Sequence, residues 1–323
     1  MAVLVTGAAG FIGSHVAQAL LDGGEQVVGL DNLNAYYDIA LKEARLRKLR
    51  KPGFAFVKAD VAQQPQFLSA LAPHCCEVTA IVHLAAQAGV RHSIEQPLDY
   101  LSANLAGHLH MLELARSLPR LQHMVYASSS SVYGASRKIP FALDDPVDQP
   151  VSLYAATKRS DELMSAAYAS LYRIPLTGLR FFTVYGPAGR PDMAYFKFTS
   201  AILAGRPIEV NGDGRQSRDF TYIDDIVGGI VAALARPPQG VVPHRIYNLG
   251  NDQPEALSRL IEVIEKACGR RAEIEYRPPS PGDVPATWAD ISESRADLGY
   301  APKIPLVEGV ARFVGWYRDY ATA

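Results

Sequence analysis

Val3-Leu4-Val5-Thr6-Gly7-Ala8-Ala9-Gly10-Phe11-Ile12-Gly13 is the stretch that decides the fold. An apolar run of strand length stops at a glycine, and the helical spacing of Val16, Ala19 and Leu20 begins just beyond it. The order is therefore strand, turn, helix. Gly7 permits the tight turn, Gly10 lets the backbone approach a pyrophosphate, and Gly13 lets the helix pack closely on the strand, with Phe11 and Ile12 in the same cradle. The unpaired N–H groups at the start of the helix favour an anion there. Glycines at this spacing are a weak signal alone, but Gln26 to Leu30 follows as a second strand and ends at Asp31-Asn32, with Asp31 eighteen residues past Gly13. A carboxylate at that point binds ribose hydroxyls and repels a 2′-phosphate, which favours NAD over NADP.

Working outward, the strand Ala55 to Ala59 ends at Asp60-Val61, a position suited to an adenine contact. Ala80 to His83 is a buried-type strand running into Leu84-Ala85-Ala86, where backbone can approach a cofactor; His83 itself reads as a structural histidine among apolar neighbours. Pro97 to Ser117 predicts one long helix carrying Asn104, a further cofactor candidate. Met124 to Ala127 and Leu176 to Phe182 are two more strands, the second bringing Phe181 to the same edge. Strands alternating with helices through residue 180 predict an α/β fold with a Rossmann-type, doubly wound parallel sheet, and ligands of such sheets bind beyond the carboxyl ends of the strands. The texture then changes to a loop from Tyr185 to Pro191, a helix, a glycine turn at Asn211 to Gly214 and a proline-rich tail. Ile223 to Ala235 and Ile246 to Leu249 return to the first pattern. The expected division is an NAD-binding domain of residues 1–180 and 221–250, with a smaller discontinuous α/β substrate domain of residues 181–220 and 251–323.

Chemistry enters with Ser128-Ser129-Ser130-Ser131 and, farther on, Tyr154-Ala155-Ala156-Thr157-Lys158. Residues four apart on a helix share a face, so the ammonium of Lys158 is expected beside the phenol of Tyr154. A phenol that works as a base near neutrality needs its pKa brought down from about 10 by roughly 3 units, and a neighbouring cation supplies much of that. A serine hydroxyl delivered from the preceding strand completes a proton-transfer site. A tyrosine and lysine at this spacing are more often a surface contact; the dinucleotide pattern around them is what makes the catalytic reading worth carrying.

Apolar residues make up 48% of the 323, enough for a sizeable core, and a net charge of −1 gives no electrostatic reason to expect nucleic acid or a membrane surface as partner. The basic run from Lys42 to Lys51, interleaved with Leu46 and Leu49, reads as the solvated face of an amphipathic helix. Cys75, Cys76 and Cys268 make neither a disulfide framework nor a metal-ligand spacing, so no metal is expected. With no signal-peptide pattern and no apolar stretch near the ~20 residues of a spanning helix, the expectation is a soluble, cytoplasmic protein.

Assembled, these residues resemble the NAD-dependent nucleotide-sugar epimerases of the extended short-chain dehydrogenase family, its UDP-glucuronate 4-epimerase branch most of all. The segments that carry the branch are Asp31-Asn32-Leu33-Asn34-Ala35-Tyr36-Tyr37-Asp38, His83 to Arg91, and Arg180-Phe181-Phe182-Thr183-Val184-Tyr185-Gly186-Pro187 with Gly189-Arg190-Pro191-Asp192-Met193. The resemblance implies Tyr154 as base, Lys158 on the nicotinamide ribose and Ser129 on the reacting oxygen. It also implies Thr183 in the sugar pocket, Arg218 on the diphosphate and Asp283 on the uridine ribose. Ser280 stands where galactose-type relatives often carry an arginine, which leaves Arg277 as a substitute for that diphosphate contact. The implied reaction is 4-epimerisation of a UDP-sugar acid through a 4-keto intermediate, with Ser130, Ser131 and either Arg190 or Arg91 holding the carboxylate. A UDP-glucuronate decarboxylase or UDP-glucose 4-epimerase of the same fold, and a non-catalytic NAD-binding regulator, stay open as alternatives. A homodimer is also implied, pairing the helices around Pro97 to Ser117 and Tyr154 to Leu171 through Gly107, Met111, Leu163 and Tyr168.

Overall fold

The computed structural model describes residues 2–278 and 284–322. Its strands in chain order are β1 (Ala2–Thr6), β2 (Gln26–Asp31), β3 (Phe54–Lys58), β4 (Val78–His83), β5 (His123–Ser129), β6 (Leu176–Phe181), β7 (Thr183–Tyr185), β8 (Ile208–Asn211), β9 (Ser217–Tyr222), β10 (His244–Leu249), β11 (Pro254–Ala256) and β12 (Ile274–Arg277). Seven of them form one parallel sheet in the order β10-β6-β5-β4-β1-β2-β3. The chain turns back between β1 and β4, and the crevice that opens at such a reversal is where doubly wound sheets bind ligands. Helices cover both faces, so the strands are buried on both sides. Val3 and Val5 of β1 pack into one apolar layer and Leu4 into the other. The helix Phe11–Asp22 backs the first layer with buried Val16, Ala17 and Leu20; Met111 and Leu112 of the helix Gly107–Ser117 back the second.

β10 joins this sheet beside β6, as the return of the apolar pattern near residue 246 implies. The segments outside it form two small sheets, β11-β9-β7 and β12-β8. Sequence reading finds neither β7 nor β11, each three residues long. Such short strands have no alternation to read and exist because β9 lies between them.

Two expectations need correction. The long helix from Pro97 to Ser117 is broken into a helical turn Pro97–Tyr100, a wider π-helical turn Leu101–Ala106, and the helix Gly107–Ser117. The π turn falls where Asn104 directs its amide out of the helix, a feature that recurs at functional sites. The basic run is not simply a solvated face. Lys42 and Arg45, on the helix Ile39–Leu49, are only 5% and 3% exposed.

Candidate active site

Three loops and two helix starts meet in one elongated cleft beyond the carboxyl ends of β1, β2, β4 and β5. Its lining includes Gly7, Gly10, Phe11, Ile12, Gly13, Asp31, Asn32, Asp60, Val61, Leu84, Ala85, Ala86, Ser128, Ser129, Tyr154, Lys158, Phe181 and Arg190. The glycine turn is closed by backbone. A Cβ at Gly13 would stand 2.0 Å from the Gly7 carbonyl oxygen, and one at Gly7 would stand 2.9 Å from the Ala85 nitrogen. Gly7 also has φ +71°, in the left-handed region that side chains avoid. Asp31 is fixed from two sides, accepting from the Ala9 N–H at 3.0 Å and the Leu33 N–H at 2.8 Å. These residues fit a dinucleotide: glycines where a pyrophosphate must lie against backbone, an oriented carboxylate at the ribose end, and Asp60 bonded to Asn32 at 3.0 Å beside it.

At the other end lies the reactive group. Ser152 caps the helix Leu153–Tyr172, its side chain accepting from the Ala155 N–H at 3.1 Å. Tyr154 therefore sits in the first turn, where backbone N–H groups leave a partial positive charge that favours an anion. One turn later the Lys158 ammonium donates to the Ala127 carbonyl and to the Asp161 carboxylate, each at 3.0 Å. Ser129 ends β5, receives the Ser131 N–H at 3.2 Å and donates to the Ser131 hydroxyl at 3.2 Å. Beneath it Ser128 donates to Glu162 at 2.6 Å, and Glu162 grips Arg180 through two bonds of 2.8 and 2.9 Å. Burial works against the Glu162 carboxylate, yet Arg180, Ser128 and Arg159 hold its pKa below the ordinary value.

Arg190 comes in from the loop after β7. Asp192 accepts from its Nε at 3.0 Å and from one Nη at 2.5 Å, and the Tyr36 hydroxyl donates to the same carboxylate at 3.2 Å. Burial opposes both charges, but the pairing prevails: the Asp192 carboxyl is held low and the Arg190 guanidinium is held more firmly charged. Burial, then the Asp192 charge, push the Tyr36 phenol up to about 12.

Other expected residues stand elsewhere. Asn104, 1% exposed, lies one layer behind the cleft; its amide bonds the Gln87 backbone at 2.8 and 3.1 Å and Thr157 at 2.9 Å. Ser130, Ser131, Thr183, Arg91 and Arg218 are not among the lining residues, although Phe182 and Val184 on either side of Thr183 are. Arg91 is exposed, and Arg218 is partly buried with one Nη donating to the Ser217 carbonyl at 2.8 Å. Asp283 and Ser280 lie outside the described residues. Arg277, the substitute for the diphosphate contact, pairs with Glu209 and Glu275 at 3.0 and 2.7 Å. His83 is a structural contact, 2.7 Å from the Thr6 hydroxyl. The residues missed from sequence are Tyr36, Arg45 and Asp192; the clustering of tyrosine and basic residues just after Asp31 is the signal that points to the first two. Among the described residues no group of side chains is arranged to hold a metal.

Residues 3–250 match the model of the NAD dependent epimerase/dehydratase family. The chain is 49% identical to a probable UDP-glucuronate 4-epimerase of Rhizobium meliloti, over 98% of this chain and 97% of that one. It is 46% identical to UDP-glucuronate 4-epimerase 1 of Arabidopsis thaliana, over 99% of this chain and 77% of the relative. Its fold superposes with a TM-score of 0.91 on the crystal structure of UDP-glucuronic acid 4-epimerase from Bacillus cereus in complex with UDP-glucuronic acid and NAD, at 34% identity and covering 99% and 100% of the two chains.

Proposed function

The chain belongs to the NAD-dependent epimerase/dehydratase family, and on that premise we propose that it interconverts UDP-glucuronate and UDP-galacturonate by inverting C4. NAD, when bound along the cleft, takes the C4 hydride of the sugar and later gives it back to the opposite face. Tyr154 removes the C4 hydroxyl proton and returns it, acting from the first turn of its helix. Ser129 hydrogen-bonds the same oxygen. Lys158, tethered by Ala127 and Asp161, holds the nicotinamide ribose and presents its charge beside the phenol.

The observation that carries the sugar acid is Arg190. Asp192 occupies its Nε and one Nη, leaving the other Nη with no hydrogen-bond partner among the described residues, on a side chain that lines the cleft with Tyr154. That group suits a carboxylate. A 4-keto uronic acid is a β-keto acid, which loses CO2 when the C5–C6 bond aligns with the ketone π system. A fixed guanidinium holds the carboxylate out of that alignment. Ser130, Ser131 and Arg91 are weaker candidates for the same task, because none lines the cleft. Arg218 and Asp283 are assigned to the diphosphate and uridine ribose by family resemblance.

Residues 1–180 and 221–250 hold the cofactor in this scheme, and residues 181–220 and 251–323 close over the sugar nucleotide. A homodimer fits the surface of the paired helices, where Leu98, Leu163 and Leu171 are 72%, 55% and 70% exposed. Leu163 faces outward as expected, whereas Gly107 and Met111 are packed inside and Tyr168 bonds Glu113. Light scattering that finds a monomer removes the dimer. No helix among the described residues is long and apolar enough to cross a membrane, and the three cysteines are free. A cytoplasmic location is proposed from that cysteine usage, and recovery of the protein outside the cytoplasm on cell fractionation removes it.

The decisive experiment incubates the purified protein with UDP-glucuronate and reads products by NMR with released CO2 measured in parallel. UDP-galacturonate without CO2 is expected. UDP-xylose or its 4-keto precursor would make the protein a decarboxylase, and turnover of UDP-glucose alone would move it to the neutral-sugar epimerases. Tyr154→Phe is expected to abolish conversion while leaving bound NAD in place; unchanged turnover removes Tyr154 as the base.

A further inference from the structure

Arg45 makes more hydrogen bonds than any catalytic side chain of the cleft, yet the chemistry does not use it. Its guanidinium, 3% exposed, donates from Nε and one Nη to the Ala188 carbonyl at 3.0 and 2.8 Å, and that same Nη reaches the Gly189 carbonyl at 3.0 Å. The other Nη donates to the Ala9 carbonyl at 3.0 Å and to the Tyr37 hydroxyl at 2.6 Å. Ala9 lies in the glycine turn, and its N–H is held by Asp31. Ala188 and Gly189 immediately precede Arg190.

The backbone that Arg45 grips is strained. Ala188 has φ +54°, a left-handed conformation that a residue with a Cβ adopts only when its surroundings impose it. Its neighbour has no room to relax, since a Cβ at Gly189 would stand 1.9 Å from the Tyr195 hydroxyl. Two carbonyls facing one planar fork supply that constraint, and no other cation has the geometry to bind both loops at once.

We propose that Arg45 is a positioning residue that locks the loop carrying Arg190 to the glycine turn, so that the carboxylate-binding guanidinium keeps a fixed place relative to the bound dinucleotide. Arg45 touches neither reactant. It rests on the assignment of Arg190 to the sugar carboxylate for its catalytic consequence, but not for its structural one. A loosened loop lets the carboxylate swing into line with the C4 ketone. The C5–C6 bond then breaks, its electron pair enters the ketone as an enolate that is protonated at C5, and CO2 leaves while the hydride stays on the cofactor.

The test uses full-length Arg45→Lys and Arg45→Met proteins. Lysine keeps the charge and the buried stem but lacks the fork, so it remains informative if the methionine variant does not fold. The first readout is hydrogen exchange in the 186–193 segment of the protein as purified, where both variants should exchange about tenfold or more faster than wild type while the amides of β5 stay unchanged. The second is the kinetic split: KM for UDP-glucuronate should rise by about tenfold or more, with kcat falling less and the CO2 fraction of product rising. Unchanged exchange in 186–193 overturns the proposal whatever the substrate. Faster exchange with unaltered KM and no added CO2 overturns its catalytic half. If the wild-type protein forms no UDP-galacturonate, the epimerase reading fails separately, and the exchange result still decides the clamp.

Discussion

Asp161 offers the sharpest quantitative test of how the site is held, because it is a fully buried carboxylate that uses only half of its hydrogen-bonding capacity. It is 0% exposed; Oδ2 meets the Lys158 ammonium at 3.0 Å, while Oδ1 is buried with no partner among the described residues. Burial penalises the charge more than Lys158 rewards it, and the carboxyl is pushed up from 3.8 to about 6. The sign follows from linkage. Between these values the folded protein still binds a proton that the unfolded chain has released, so the contribution is fully present below about pH 4 and is lost as pH rises through 6. A shift of roughly 2 units at ~1.4 kcal/mol each amounts to about 3 kcal/mol.

Asp161→Asn cannot ionise and so escapes that loss. Relative to wild type it should gain about 3 kcal/mol of stability between pH 4 and pH 7, read as a rise of a few degrees in the melting-temperature difference between the two proteins. Taking the difference matters, because His83, His123 and His244, whose pKa values burial lowers, also shift the stability of both proteins over this range. Those contributions cancel on subtraction. Turnover should fall even as stability rises, since Lys158 loses its anionic tether and keeps only the Ala127 carbonyl. A melting difference that stays flat from pH 4 to pH 7 refutes the reasoning: the carboxylate would then be as well solvated folded as unfolded.

Glu162→Gln should destabilise the protein by about 3–5 kcal/mol, because it leaves the buried Arg180 guanidinium without its counter-charge; a denaturation midpoint equal to wild type excludes this. Gly13→Ala should yield protein that purifies without NAD, given a Cβ only 2.0 Å from the Gly7 carbonyl oxygen, and stoichiometric cofactor in the variant would show that the turn can shift.

The parts of this molecule that were legible in the sequence are those whose signal is local. The glycines at 7, 10 and 13, Asp31 at the end of β2, and the Tyr154–Lys158 pair all act within one strand-turn-helix unit or one helical turn, so spacing alone places them. Arg45 was not legible for the opposite reason. Its helix carries basic residues at almost every polar position, and what distinguishes Arg45 from exposed Arg47 is a pair of carbonyls 143 and 144 residues away in sequence. Asn104 follows the same logic: its partners, Gln87 and Thr157, lie in other elements, and the π turn that points it at them has no periodic signature.

The charges that matter here share one arrangement. Lys158–Asp161, Arg180–Glu162 and Arg190–Asp192 are all ion pairs set around or just beneath the cleft, with the first two almost wholly buried. Replacing such pairs by apolar residues is often neutral or stabilising, so they are poorly explained as stability devices. Each instead fixes a group that the reaction needs in a defined place: the ammonium beside Tyr154, the strand end carrying Ser128 and Ser129, and the guanidinium that meets the sugar acid. An intermediate prone to losing CO2 gives that rigidity a chemical purpose. The pairs keep cationic groups charged and oriented before substrate arrives, so no reorganisation is left to perform during the interval in which the ketone exists.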